Sequence, residues 1–316
     1  MRPIWIIPVT VITLLIGCAG NEPSETPSGP ELANGAFDAV VDGRTIHYEV
    51  HGTGPVVLAL TNSWGLSLDG LRGLFKPLEA KLTVVTFDPR GMGGSSPVTE
   101  DADMSLAAVR EDFDALRRHL GLDRVNAIGW SNGATNLILL ASERPDTISS
   151  AIFVHGAASF GPADMAAFAQ HYPELAQHYV AFQQEMADPS LTDDERTSRM
   201  REVWLGEYFP AITADPETAA PRIQAAFADA QLSWPHAQFA TRESPAFDYT
   251  DRLGAITARS LVIAGAHDSL PPERVRIIAD GIPDAEFELF ASSGHFAPLE
   301  EPDAFAASVF AFLGVE

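Results

Sequence analysis

Three residues in this sequence have the types and order needed for nucleophilic chemistry. Ser131 lies in Gly129-Trp130-Ser131-Asn132-Gly133, between an apolar run (Val125 to Trp130) and a helical pattern (Asn132 to Ser142). A serine hydroxyl is presented as a nucleophile on a sharp strand-to-helix turn. Glycines two residues to either side let the backbone pass closely enough to make that turn. The helix N-terminus behind it favours the negative charge that develops when the hydroxyl attacks a carbonyl. Asp268 ends Ser260-Leu261-Val262-Ile263-Ala264-Gly265-Ala266-His267-Asp268, an acid just past a strand. His295, in Ser292-Ser293-Gly294-His295-Phe296, follows another. Taken singly, each is an ordinary loop or turn residue. Taken in order, with each on a loop after a strand, they match a Ser-His-Asp relay: His295 as base, Asp268 holding its tautomer and charge. The expected reaction is cleavage of an ester or amide through an acyl-enzyme, without metal or cofactor. His267 has its neighbour in the orienting role and is read as structural. The other histidines show no His-Glu-x-x-His or comparable spacing, so no metal site is expected.

Such a relay needs a sheet whose strands end at one rim. Ala39 to Val41 and Thr45 to Val50 flank Asp42-Gly43, a hairpin signal because both residues tolerate positive φ. Val56 to Leu60, Leu82 to Phe87, Val125 to Trp130, Ala151 to Val154, Leu261 to Ala264 and Glu286 to Phe290 are apolar runs expected of strands, several of them continuous enough for cover on both faces. Met104 to Leu120 is amphipathic at helical spacing and stops at Gly121. Further helices are expected from about Pro272 to Ala279 and Pro302 to Leu313. Strands alternating with helices predict a mainly parallel α/β sheet with an antiparallel hairpin at its edge. The alternation breaks over 157–248, which has helical patterns and no convincing strand. That stretch reads as a helical lid inserted between two core segments, 36–156 and 249–316.

On these residues the chain resembles the α/β-hydrolase superfamily across nearly all of 37–314. Asp88-Pro89-Arg90-Gly91-Met92-Gly93-Gly94-Ser95 is similar to the family's D-x-R-G-x-G-x-S segment, structural there. It is not a dinucleotide fingerprint, because Ser96 stands at the third glycine position. Gly294-His295-Phe296-Ala297-Pro298-Leu299-Glu300-Glu301-Pro302 looks most like the proline iminopeptidase (S33 peptidase) members. The resemblance implies a backbone oxyanion hole, and by position its donors would be the Ser63 and Asn132 N–H groups. The sequence departs from the family here: Thr61-Asn62-Ser63-Trp64-Gly65 replaces the usual His-Gly, and no Gly-Gly-Pro-Gly follows. Trp64 and Trp130 are candidate pocket walls. Glu202 and Glu207 could hold a substrate's amino terminus, as carboxylates do in aminopeptidases of this type, against the plainer role of a solvated helix face. Aspartate-nucleophile chemistry is disfavoured by Ser131. A C–C bond hydrolase or cofactor-free oxidative enzyme on the same triad stays open, as does a non-catalytic surface binding protein.

Composition sets the remaining bounds. The 316 residues are 46% hydrophobic, enough for a sizeable core, and the formal charge is −23 with lysines only at 76 and 81. Phosphate neutralisation needs clustered Lys and Arg, so nucleic acid is excluded as a partner. Arg2 and the apolar run Ile4 to Ile16 form an export signal too short to span a membrane. Leu15-Ile16-Gly17-Cys18 resembles a bacterial lipobox, which implies cleavage before Cys18, the chain's single cysteine, and lipidation of its sulfur. Residues 1–18 then form the signal, and 19–35, rich in Pro, Ser, Glu and Gly, a tether. The expected product is an extracytoplasmic protein on a bacterial membrane, acting on a small molecule or short peptide.

Overall fold

A computed structural model describes residues 32–316. The signal segment, Cys18 and most of the tether fall outside the described residues. Among the described residues there are ten strands: β1 (Gly35–Val41), β2 (Arg44–Gly52), β3 (Val56–Leu60), β4 (Thr83–Phe87), β5 (Val125–Trp130), β6 (Ile148–Val154), β7 (Ser159–Phe160), β8 (Phe247–Asp248), β9 (Arg259–Gly265) and β10 (Ala285–Phe290). Eight of them form one sheet in the order β1-β2-β4-β3-β5-β6-β9-β10. β1 pairs antiparallel with β2, and β2 antiparallel with β4; every other pairing in this sheet is parallel. The β1–β2 turn places Asp42 at φ 50° and Gly43 at φ 79°, both in the left-handed region.

The continuous apolar runs are explained by cover on both faces. Val57, Ala59, Ile128, Ile152 and Ile263 point into one layer, and Leu58, Leu60, Ala127, Phe153 and Val262 into the other. The flanking helices of the first half are α1 (Leu68–Phe75), α2 (Leu106–His119) and α3 (Asn132–Glu143). α2 starts where the Ser105 hydroxyl accepts the Ala108 N–H at 3.1 Å, satisfying one of the orphan donors of the first turn.

Between β7 and β8 come α4 (Pro162–His171), α5 (Pro173–Met186), α6 (Asp193–Val203), a π-helical turn (Trp204–Tyr208), α7 (Phe209–Ala211), α8 (Pro216–Ala226) and α9 (Trp234–Glu243). Phe182, Met200, Leu205 and Phe209 of this insertion join the same apolar layer as Val57 and Ile263. The sequence expectation of no strand in this stretch needs correcting. β7 and β8 pair antiparallel through Ser159–Asp248 and Phe160–Phe247, clasping the base of the insertion. Two residues are too few to display an alternating pattern, so the pairing comes from tertiary context. The chain ends with α10 (Pro272–Gly281), α11 (Ala297–Glu300) and α12 (Pro302–Leu313).

β5, β6, β9 and β10 are consecutive neighbours in the sheet. Their carboxyl ends form the rim where open α/β sheets build their sites.

Candidate active site

Ser131 makes the turn from β5 into α3 at φ 54° and ψ −120°, a conformation that non-glycine residues rarely adopt. Close backbone packing holds it there. A Cβ on Gly129 would lie 2.6 Å from the Gly133 carbonyl carbon, and one on Gly133 would lie 2.5 Å from the Leu60 carbonyl oxygen. The Ser131 N–H donates to Val154 O at 2.9 Å, tying the turn to the end of β6.

His295 reaches this turn from the loop after β10. Its Nε2 is 3.0 Å from Ser131 Oγ, and its Nδ1 is 2.9 Å from Asp268 Oδ2. The loop is fixed on several sides. The His295 N–H donates to Ile212 O at 2.9 Å, the Gly294 and Phe296 N–H groups donate to Glu300 at 3.0 Å, and the indole Nε1–H of Trp130 donates to His295 O at 2.9 Å.

Asp268, just past β9, is fully buried and accepts the Leu270 N–H on Oδ1 at 2.9 Å. Burial by itself would raise this carboxyl. The charge of His295 and the hydrogen bonds from His295 and His155 outweigh it and hold the group well below the usual carboxylate range. Serine, histidine and aspartate thus form one hydrogen-bonded relay, with the carboxylate kept ionised. A relay of this kind can withdraw the serine proton as the oxygen attacks a carbonyl.

Sequence reasoning missed His155. It directly follows β6, is 1% exposed and adopts φ 53°. Its Nδ1 lies 3.0 Å from Asp268 Oδ2, so two imidazoles share one carboxylate. The available signal was Phe153-Val154-His155-Gly156, which puts a histidine at the same strand rim as the acid. Among the described residues, His155, Asp268 and His295 also form a cluster of metal-ligand type. Their donor atoms are committed to one another.

The profile of the alpha/beta hydrolase fold family matches residues 56–302. The chain belongs to that family. This hydrolase is 25% identical over 303 residues to the 2-hydroxy-6-oxononadienedioate/2-hydroxy-6-oxononatrienedioate hydrolase of Paraburkholderia phymatum, covering 92% of this chain and 99% of the relative. It is 28% identical over 230 residues to the proline iminopeptidase of Levilactobacillus brevis, covering 71% and 76%. Among solved structures, an alpha/beta fold family hydrolase from Bacillus anthracis superposes with a TM-score of 0.71 at 19% identity, covering 88% of this chain and 99% of the other. At that identity the likeness concerns the fold alone.

The hydrolase differs from the sequence expectation at the loop after β3. The Ser63 N–H is not free: it donates to the Asn132 side-chain Oδ1 at 2.9 Å, and the Ser63 hydroxyl donates to the same oxygen at 3.2 Å. The asparagine next to Ser131 captures the donor that position alone had assigned to the oxyanion. The Asn132 N–H, at the first position of α3, has no intrahelical acceptor. The Trp64 N–H, one residue beyond Ser63, makes no hydrogen bond to a described residue. Trp130 is not a pocket wall. It is 1% exposed, with its ring packed 5.3 Å from that of His295, and acts as a strut beneath the histidine.

Trp64 is half-buried and edge-on to Trp204 at 5.0 Å and to Trp130 at 6.4 Å, in an aromatic cluster that includes Phe209. Glu202 and Glu207 are exposed. The first pairs with Arg199 at 3.2 Å in solvent, and the second faces His178 at 3.5 Å where both line an open cleft with Tyr172 and Leu175. His267 is exposed and only its backbone, donating to Ser293 O, is engaged. Asp88 accepts the Leu68 and Gly94 N–H groups at 2.8 and 3.0 Å, so its segment braces loops around the sheet.

Proposed function

We propose that this hydrolase cleaves a carboxylic ester or amide through an acyl-Ser131 intermediate, with His295 as general base and acid and Asp268 as its orienting carboxylate. The observation that carries the reading is the unbroken Ser131–His295–Asp268 hydrogen-bond chain at the strand rim. His295 Nε2 takes the hydroxyl proton as Ser131 Oγ bonds to the carbonyl carbon. The imidazolium returns that proton to the leaving oxygen or nitrogen as its bond to the acyl carbon breaks. Water then adds to the acyl-enzyme, giving its proton to His295, and Ser131 departs with that proton as the acid is released. The Asn132 and Trp64 N–H groups are the oxyanion donors in this scheme, in place of Ser63.

Ester cleavage is favoured over removal of an N-terminal residue, because Glu202 is paired with Arg199 in solvent and Glu207, in the open cleft, is engaged with His178. The aromatic cluster around Trp64 suits an apolar group on the substrate. A second reading, hydrolysis of a C–C bond on the same triad, is favoured by the near full-length likeness to the Paraburkholderia phymatum relative. Lipidation at Cys18 and placement on the outer side of a membrane belong to the proposal too, supported by the signal segment and its lipobox-like end. Loss of detergent-phase partitioning in Cys18→Ser tests that part; unchanged partitioning would refute it.

The test of the chemistry is labelling by a fluorophosphonate probe, expected in the folded protein and absent from Ser131→Ala. A folded protein that takes no label would refute the serine mechanism. p-Nitrophenyl butyrate should be hydrolysed faster than prolyl or alanyl anilides. The reverse ranking would favour the aminopeptidase, and turnover of only a vinylogous 1,5-diketone the C–C reading.

A further inference from the structure

The relay contains a group that the Ser-His-Asp mechanism does not call for. His155 is buried against the Asp268 carboxylate, on the same oxygen as His295, with its ring centroid 5.4 Å from that of His295. Its protonation is determined by its neighbours. The Ala297 backbone N–H donates to His155 Nε2 at 3.3 Å, and a backbone amide has only a proton to offer. Nε2 therefore carries the lone pair, and the ring proton sits on Nδ1, where it donates to Asp268 Oδ2 at 3.0 Å. Burial disfavours the charged form of His155, so the neutral tautomer is the one that persists.

We propose that His155 is a positioning residue of the relay, a fixed neutral donor that holds the Asp268 carboxylate toward His295 and takes up part of its hydrogen-bonding capacity. The inference rests on the proposed triad mechanism. A carboxylate oxygen that already accepts one N–H is a weaker acceptor for the next. Oδ2 accepts from His155 and from His295, while Oδ1 is held by the Leu270 N–H and lies 3.0 Å from His295 Nδ1. Without His155, Asp268 would bind the imidazolium of His295 more strongly, and His295 would stay protonated to higher pH.

The charged and titratable groups around the pair come from separate elements. Asp268 and His295 lie on the loops after β9 and β10, and Glu300 on α11 acts on His155. Tyr172, between α4 and α5, and Tyr208, in the π-helical turn, lie within reach of the Asp268 charge from the insertion. The backbone cost at His155 points the same way. A left-handed φ on a bulky residue is strained, and it persists here with the side chain locked between Asp268 and Ala297.

The variants that test this are His155→Ala, which deletes the donor, and His155→Asn, which keeps an N–H near the Nδ1 position and tolerates the left-handed backbone. The readouts are the His295 ring titration followed by NMR and the pH profile of kcat/KM on p-nitrophenyl butyrate. In His155→Ala the His295 titration and the acid limb should both move up by about half a pH unit or more, and in His155→Asn both should stay near the parent values. If both variants lose thermal stability and activity while the His295 titration stays put, His155 is only packing and the proposal fails. The NMR titration needs no turnover, so it separates this outcome from failure of the triad mechanism, which would appear as absence of probe labelling at Ser131.

Discussion

The Asn132 carboxamide oxygen accepts both the backbone N–H and the hydroxyl of Ser63, at 2.9 and 3.2 Å, and so ties the nucleophile turn to the loop that follows β3. Two segments that in the proposed mechanism meet the same carbonyl oxygen are thereby held in one register. Asn132→Ala would leave the buried N–H of Ser63 without its acceptor and free the loop to move. The expected result is a fall in kcat of about ten- to a hundredfold, from misplacement rather than loss of a reacting group. Steady-state kinetics on p-nitrophenyl butyrate, with circular dichroism to verify folding, checks it. An unchanged kcat would show that the tie does not bear on the reaction.

The acid side of the pH profile follows from the state of the carboxylate. Asp268 is held far below its ordinary range by the two imidazoles, so it stays ionised while His295 takes up a proton. Activity should fall toward low pH with a single protonation, as a unit slope of log kcat/KM against pH. A slope of two would mean that a second group, such as the carboxylate, titrates in the same window. Asp268→Asn should cut kcat by about ten-thousandfold, since the amide no longer selects the productive tautomer.

The hydrogen-bonded cluster of Ser131, His295 and Asp268 was legible because each lies past a strand end marked by an apolar run, and because chain order pairs them even though Ser131 and His295 are 164 residues apart. The parallel sheet and its hairpin edge were legible from continuous runs such as Val56 to Leu60 and from Asp42-Gly43. What escaped depends on tertiary placement. His155 carries no motif; it matters because β6 lies beside β9, and strand order is not written in any local pattern. Ser63 was assigned by position, and the side chain that occupies its N–H comes from 69 residues away. α1, eight residues long, was missed because Gly70 and Gly73 lie inside it and weaken its helical pattern. Trp130 shows the same limit: an indole beside the nucleophile reads equally as wall or strut until its burial is known.

Arg90 anchors the core face away from the site, and its partners make a prediction about stability. The guanidinium is 6% exposed and donates to Asp112 at 2.8 and 2.9 Å and to Asp103 at 3.0 Å. Burial would raise the Asp103 carboxyl, but the Thr99 and Glu100 N–H groups, the Thr99 hydroxyl and Arg90 together hold it well below its usual range. Its folded-state pKa is therefore lower than its unfolded one. The stabilisation is complete above the unfolded carboxylate value of about 3.9 and is lost as pH falls from there through the folded value. Asp103→Asn should cost about 2 kcal/mol at neutral pH. The gap from the parent should close below about pH 4, as read by urea denaturation. A gap that stayed constant with pH would mean that the charge of Asp103 contributes nothing.

Gly133 tests the strain in the nucleophile turn most directly. A methyl group there would sit 2.5 Å from the Leu60 carbonyl oxygen and 2.8 Å from the Asn62 side-chain amide, so α3 and the end of β3 would have to separate. Leu60 belongs to a strand buried on both faces and has little room to yield. The displacement would fall on α3 and carry Ser131 with it, lengthening the 3.0 Å approach of Oγ to His295. Gly133→Ala should lower stability by about 1–3 kcal/mol, the range for overpacking. It should lower kcat by more than that loss alone explains, because the relay and the oxyanion donors shift together. Thermal denaturation and kinetics on the same preparation decide the matter. A variant that keeps both its melting temperature and its kcat would show that the turn does not depend on close approach at this glycine.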